Sequence, residues 1–374
     1  MSQPNHPRFA GAARARSYNE PIAEPPRIEH DESETVDPPV SLVEDLPEEE
    51  EEESVDQGES EVMEAAPGDI PPRPLARPEL LPSRTRRPKP AKWGFRGTLS
   101  RAGIRMSPGA MEAQHREHEE FIRQMTWPRP VYITSAAEKG GSGKTPATVV
   151  VAGLFAQLKG GLTLAWEARE SAGTLSDRTE GRSTRGLNQL LRDAEQVRTP
   201  GVLSSYVTDQ TSYAQILGST GQRVMTAEDV PRLTEVFDHT HRIIVTDTGN
   251  DPQSELFSNV LAKTDALVVP VPVRADHANP VLAFLHEAKK NPETADLVRR
   301  ATVVITNDGK RQTPGLAARL LNSLEELGVE SIMHVPYDPA LDNDGPIVLE
   351  DLSRESRVAW TKVTAAIAAS INVK

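Results

Sequence analysis

The sequence predicts an α/β fold, a doubly wound and mostly parallel sheet, preceded by a disordered arm. Three observations carry this expectation. From Pro130 onward, apolar β-branched runs alternate with helix-length stretches. A glycine-rich loop joins the first of those runs to the first helix. The residues ahead of them are too charged to bury a core. Strands separated by helix-length connections require right-handed crossovers, and hence a parallel sheet.

Charge divides the chain. Residues 1–71 hold 20 Asp/Glu against 4 Lys/Arg, a net of −16, whereas the whole chain carries −13, so the remainder is slightly basic at +3. The low pI therefore belongs to the arm and says little about what the rest binds. Rich in Pro, Glu and Ser, with an unbroken acidic run Glu48–Glu53, the arm cannot offset its chain entropy by burial and is expected to be disordered. It reads either as bait for a basic protein partner or as a solubilising tail.

A basic linker with a short helix is expected over 72–129. Residues 72–105 carry 10 Lys/Arg against the single acid Glu79, and include Lys92-Trp-Gly-Phe-Arg96. This composition suits the phosphates of DNA or an anionic membrane surface. It equally suits folding back on the acidic arm, or docking of Trp93 and Phe95 on the folded domain. Ala110–Met125 reads as a polar helix, and its His115-x-x-His118 pair, without further ligands, reads as surface decoration.

The α/β domain is expected over 130–374. Strands are expected at Val131–Ser135, Leu162–Trp166, Ala214–Leu217, Arg242–Thr246, Ala266–Val273, Thr302–Thr306 and Ser331–Val335. The clearest helices are Pro146–Leu158, Ala278–Lys290, Pro314–Leu327 and Ser353–Ile371. His239 and His241, flanking one strand, read as structural. The chain has no cysteine, which excludes disulfides, Cys-ligated metal centres and thiol nucleophiles. No basic-then-apolar leader is present, and runs such as Val149–Ala156 fall short of the ~18–20 residues that span a bilayer. A cytoplasmic protein is expected, with contact to the inner face of the plasma membrane left open.

Chemistry concentrates first in Val131-Tyr-Ile-Thr-Ser-Ala-Ala-Glu-Lys-Gly-Gly-Ser-Gly-Lys-Thr145. A strand runs into glycines and a helix opens at once, the arrangement of a P-loop. Gly140, Gly141 and Gly143 let backbone N–H groups close on phosphate oxygens, with Ser142 between them. The helix N-terminus adds its dipole. Lys144 reaches the β- and γ-phosphates of ATP, and the Thr145 hydroxyl ligates Mg²⁺. Glu138 replaces the leading glycine of the general pattern, and Lys139 follows it. This loop resembles that of the ParA/MinD family of deviant Walker A ATPases, which reads K-G-G-x-G-K-[ST]. The resemblance implies that Lys139 crosses a dimer interface to the partner's nucleotide. Pro146 stands where the family usually has Thr or Ser, in a first helical turn that tolerates proline.

Arg242-Ile-Ile-Val-Thr-Asp-Thr-Gly249 ends an apolar strand in an aspartate. Asp247 is the candidate Walker B group behind Mg²⁺, and the resemblance makes Gly249 a γ-phosphate sensor. The family's D-x-D after the second strand is matched poorly by Trp166-Glu-Ala-Arg-Glu170: Glu167 takes the first acidic place, Arg169 the second, and Glu170 is an alternative by a local shift. Slow or partner-dependent hydrolysis is the consequence expected, a non-hydrolysing scaffold the alternative. Asn307, at the end of Val304-Ile-Thr-Asn307, and Pro336 and Asp338 of Val335-Pro-Tyr-Asp338 occupy places that contact adenine in the family.

The resemblance spans about Pro130 to Ile371. Within the family, the acidic Pro-rich arm, the Trp-Gly-Phe-Arg segment, Ala-Gly-Thr-Leu175, Asp-Thr-Gly249 and Val-Pro-Tyr-Asp338 are most similar to the EspI-type MinD-like ATPases associated with actinobacterial type VII (ESX) secretion. What this implies is an ATP-dependent homodimer that changes its affinity for a partner or surface. Chromosome or plasmid partition remains the other role, and a metabolic kinase sharing the loop has no marked acceptor pocket.

Overall fold

In the computed structural model the described residues are 89–221, 225–310 and 313–371. The acidic arm and the linker residues up to 88 lie outside them. Eight strands are present: β1 (Val131–Ser135), β2 (Thr163–Ala168), β3 (Thr208–Asp209), β4 (Gln215–Leu217), β5 (Ile243–Thr248), β6 (Ala266–Pro272), β7 (Thr302–Thr306) and β8 (Ser331–Val335). The helices are α1 (Gly94–Arg101), α2 (Ala110–Gln124), α3 (Lys144–Lys159), α4 (Gly186–Asp193), α5 (Pro200–Leu203), α6 (Asp229–Thr240), α7 (Glu255–Ala262), α8 (Ala275–Lys290), α9 (Ala295–Arg299), α10 (Leu316–Glu326) and α11 (Arg354–Ser370).

The sheet order is β3-β4-β2-β5-β1-β6-β7-β8. Every pairing is parallel except β3 with β4. The strands are apolar on both faces because both are covered. Val131, Ile133, Val245 and Val268 point to a core shared with α3 and α11. Tyr132, Leu164, Trp166 and Ile244 point the other way, toward α4, α6 and α7. Leu267, Val269, Val303 and Ile305 continue that second face under α8, α9 and α10. The result is a doubly wound, largely parallel sheet with its order reversing beside β1, and such a switch point leaves a crevice at the carboxyl ends of the strands.

Two local differences from the sequence reading have simple causes. β2 begins at Thr163, one residue later than expected, because Gly160, Gly161 and Leu162 all take positive φ in the preceding turn. β3 was not anticipated: it is two polar residues long and pairs antiparallel at the edge, too short to show a pattern.

The described part of the basic stretch packs on the α/β body. Ala91 N–H donates to Met106 O at 2.8 Å, closing a loop around α1. α2 lies against α3 and α11, with Ile122 fully buried and Lys159 Nζ donating to Arg123 O at 3.0 Å. Trp93 stacks on His115 at 5.0 Å under the Arg354 guanidinium, whereas Phe95 is 76% exposed. Of the two aromatics, Trp93 docks and Phe95 does not. His115 Nε2 lies 3.4 Å from Glu119 Oε1 on its own helix. His241 is buried against Gln215 and Thr240. Among the described residues no helix is long and apolar enough to cross a membrane.

Candidate functional site

The loop between β1 and α3 is shaped by backbone that only glycine adopts cheaply. Gly141 has φ 75° and Gly143 has φ 92°, so a side chain at either would be strained. Gly143 caps α3, whose first helical bond runs from Ala147 N–H to Gly143 O at 3.0 Å. The amides of Lys144 and Thr145 therefore have no helical acceptor, and Pro146 has no amide to satisfy. The Ser142 hydroxyl donates to Lys139 O at 2.8 Å and lies 3.1 Å from the buried His277 Nδ1.

Lys144 folds back over the loop. Its Nζ donates to Ala137 O at 2.9 Å, to Lys139 O at 3.3 Å and to Asn250 Oδ1 at 2.7 Å. Only 6% exposed, its ammonium is pushed down to about 8 by burial, against the pull of Asp247. All three acceptors are neutral, so the charge has hydrogen bonds but no bonded counter-ion.

Asp247 sits in β5, beside Ser135 of β1 and Glu167 of β2 in the sheet register. Its Oδ2 accepts from Thr145 Oγ1 at 2.6 Å, while Oδ1 is buried with no hydrogen-bond partner among the described residues. Burial holds this carboxyl above its usual range, the Thr145 hydrogen bond opposing it. An unpartnered carboxylate oxygen beside a threonine hydroxyl is an all-oxygen donor pair, the chemistry Mg²⁺ selects. The residues present thus fit that cation.

The strand ends beside it separate the acidic candidates. Glu167 is fully buried, and its carboxylate accepts from Leu175 N–H at 3.4 Å, from Ser219 N–H at 3.2 Å and from the Ser219 hydroxyl. It lies next to Asp247 but is committed to holding the 173–175 and 218–220 turns, and it does not line the cleft. Glu170 lies beside Gly249, where an added Cβ would come 3.1 Å from its Oε2, and its Oε1 is buried and unpartnered. Gly249 N–H donates to Ala168 O at 3.2 Å, so its amide is turned into the sheet. Arg169, which the family pattern would replace with an acid, lines the cleft.

Lys139 is held within its own chain. Its Nζ contacts Asp276 Oδ2 at 2.5 Å, and Arg274 donates to the same carboxylate and to Asp308. The Lys139 hydrogen bond draws the Asp276 carboxyl down to about 2. These partners, with His277, were missed in the sequence, because nothing local links a loop lysine to a helix start 137 positions away.

The far wall is built from β7 and β8. Asn307, Pro336 and Asp338 all line the cleft, which measures about 680 Å³. Asn307 Oδ1 accepts from Gly309 N–H at 3.0 Å, and Asp338 accepts from Ala340 N–H at 3.0 Å and Ser353 N–H at 2.9 Å. Arg178, buried, donates to Leu341 O at 3.1 Å and to Asn343 O, tying the loop after β8 across the base of the wall. One continuous cleft therefore joins the phosphate loop, Thr145 and the β7–β8 wall, with Asp247 fully buried behind Thr145.

No family model matches the chain, and no curated protein matches it. Solved structures do. A ParA family ATPase from Chlorobium tepidum TLS is similar over 65% of this chain and 99% of its own, at 15% identity and a TM-score of 0.53. Weaker likenesses are to the Pyrococcus horikoshii septum site-determining protein MinD complexed with Mg-ADP (15% identity, 63% and 94% covered, TM-score 0.47) and to MinD in the Aquifex aeolicus MinC:MinD complex (16%, 65% and 98%, 0.46). At such identity the likeness to the ParA family ATPase establishes a shared fold and nothing beyond it.

Proposed function

We propose that this chain binds ATP with Mg²⁺ in the cleft and works as a nucleotide-dependent dimerisation switch. The observation that carries the reading is the Thr145–Asp247 pair, with one buried carboxylate oxygen left over, at the mouth of a glycine loop that also holds Lys144. In this reading Thr145 and Asp247 hold the cation and its water shell. The loop amides of Gly140–Thr145 and the Lys144 ammonium take the phosphates. Mg²⁺ held there would neutralise phosphate charge. Asn307, Pro336 and Asp338 wall the base. Gly249 must turn its amide out of the sheet to meet a γ-phosphate, and Lys139 must leave Asp276 to reach a partner subunit.

Hydrolysis is slow or partner-stimulated. The support is that Glu167 is committed to the fold and that Glu170, the alternative beside Gly249, does not line the cleft either, so a further movement or a partner must bring a carboxylate to the attacking water. A non-hydrolysing, nucleotide-loaded scaffold is the second reading, favoured by Arg169 in the cleft. The proposed setting is the cytoplasm, in secretion-associated regulation of the EspI type, with the acidic arm engaging a protein partner. The described end of the basic stretch, where Phe95 and Ile104 stay exposed among Arg96, Arg101 and Arg105, supplies the surface that a partition role would need for DNA, or a membrane-positioning role for anionic lipid.

The test is size-exclusion light scattering with Mg-ATP and Mg-ADP on wild type, Lys139→Ala and Lys144→Ala, with phosphate release followed in parallel. A dimer with ATP alone, lost in Lys139→Ala, supports the switch. Phosphate release abolished by Lys144→Ala removes the scaffold reading. A monomer in every condition with nucleotide still bound sinks the role of Lys139 across a dimer.

A further inference from the structure

Arg169 brings a second cation to the phosphate end of the cleft, close enough to Lys144 to act on it. The residue follows the last position of β2 and lines the cleft together with Lys144. Its Nε is buried without a hydrogen-bond partner among the described residues. A Cβ at Gly173 would meet the Glu167 carboxylate first and Arg169 Nη1 next, at 2.7 Å, so the turn after β2 closes on both side chains. Arg169 and Lys144 repel each other, and each is attracted to Asp247, the buried carboxylate they share. A divalent cation on Asp247 would claim that carboxylate and leave both side chains facing the cleft. That end of the cleft suits a phosphate chain.

The strand order says which part of that polyanion meets Arg169. Along the carboxyl ends the sequence is β2-β5-β1-β6-β7-β8. The base wall stands on β7 and β8, the phosphate loop on β1, and Arg169 on β2, beyond β1 from the wall. A nucleotide with its base on the wall and its first phosphates in the loop therefore directs its last phosphate toward β2. An arginine there offers two parallel N–H donors to a phosphate, which a point charge does not.

We propose that Arg169 grips the terminal phosphate of the bound nucleoside triphosphate and is the residue by which this site prefers the triphosphate to the diphosphate. The inference rests on the ATP-binding reading above. It gives the departure at this position a positive role: a cation that senses the nucleotide state stands at the place where the family carries an acid.

The experiment is calorimetric titration of the full chain with Mg-ATP and Mg-ADP, using wild type, Arg169→Ala, Arg169→Lys and Lys144→Ala, each checked for an unchanged thermal melt. Losing a charge-assisted bidentate contact should weaken ATP by roughly 10-fold or more in Arg169→Ala and leave ADP within about twofold. Arg169→Lys should recover part of the loss, and Lys144→Ala should weaken both nucleotides. Equal weakening of ATP and ADP in Arg169→Ala, or none, overturns the assignment while leaving ATP binding intact. Wild type that binds neither nucleotide overturns the ATP reading and this one with it. Should Arg169→Ala melt early, Arg169→Lys alone decides: an ATP-to-ADP preference equal to wild type contradicts the bidentate grip, and a preference reduced severalfold supports it.

Discussion

The two ends of the cleft are built from similar polar residues used in opposite ways. At the base end, the acceptors of Asn307 and Asp338 are filled by backbone amides of the turns they hold, Gly309 in one case and Ala340 and Ser353 in the other. At the phosphate end, Asp247 keeps one oxygen unpartnered, Arg169 keeps its Nε and Glu170 keeps Oε1, all buried. Burying a polar group without a partner costs free energy that a folded chain ordinarily avoids. Where it persists in three neighbouring side chains, the missing partners are most simply supplied by a ligand. Asn307 and Asp338 are finished structure, although Arg178 Nε and Trp360 Nε1 of the same wall are also buried without a partner among the described residues; Asp247 at the phosphate end is unfinished. The same distinction separates Glu167 from Asp247, register neighbours on adjacent strands, of which the first is saturated.

The sharpest way to break this comparison is to remove the unfinished group. Asp247→Asn should lower Mg²⁺-dependent ATP affinity on the order of 100-fold, with the thermal melt unchanged or raised, because a buried charge has been removed. A lower melt with unchanged affinity would place Asp247 among the structural residues. A control lies at the start of β5. Burial holds the His241 imidazole near 4, below its ordinary 6.5. The unfolded chain therefore takes up a proton that the folded one refuses. Stability should fall by roughly 3 kcal/mol as pH drops from about 6.5 to 4, and then change no further on this account. Denaturant midpoints across that window should show His241→Gln losing the slope.

Removing a finished group should cost stability and spare binding. Glu167→Gln cannot serve the Leu175 and Ser219 donors as a carboxylate does, and a buried donor left unpaired costs about 1–3 kcal/mol. Urea unfolding should record that loss while ATP affinity stays within a few-fold; the reverse pattern would return Glu167 to the chemistry. Asp338→Asn should cost less, about 1 kcal/mol, since an amide oxygen still accepts from Ala340 or Ser353. The smallest effect belongs to Asp276→Asn. The Lys139–Asp276 pair is 40% and 44% exposed, so it is worth little in stability. It holds Lys139 at home, however, and releasing it should raise ATP-dependent dimerisation a few-fold in light scattering. An unchanged dimer fraction would mean the pair is no restraint.

Most of the fold was legible because its signal is local. Ile243, Ile244 and Val245 read as a strand buried on both faces, and Gly140, Gly141 and Gly143 mark a backbone that turns where side chains would obstruct it. The carboxyl-end placement of Asp247 follows from strand and loop together. What was not legible depends on pairing at a distance. The fate of Glu167 is set by Ser219, that of Lys139 by Asp276, and neither partner carries a pattern of its own. Docking of the segment around α1 and α2 was one reading among several, and the residues that fix it were hidden for another reason. It rests on Ile122 and on Glu112, a buried acid that accepts from Lys92 N–H at 2.8 Å and Trp93 N–H at 3.2 Å, and a charged residue on a polar helix gives no sign of burial. Pro146 was legible as harmless from helix geometry alone.

The most direct measurement is calorimetric titration of the full chain with ATP in the presence and absence of Mg²⁺, beside Lys144→Ala. Saturable binding of one ATP per chain is expected, strengthened by Mg²⁺ and lost in the variant. Binding indifferent to both Mg²⁺ and Lys144, or no binding in wild type, would contradict the claim that the unpartnered groups of the phosphate end await a nucleotide.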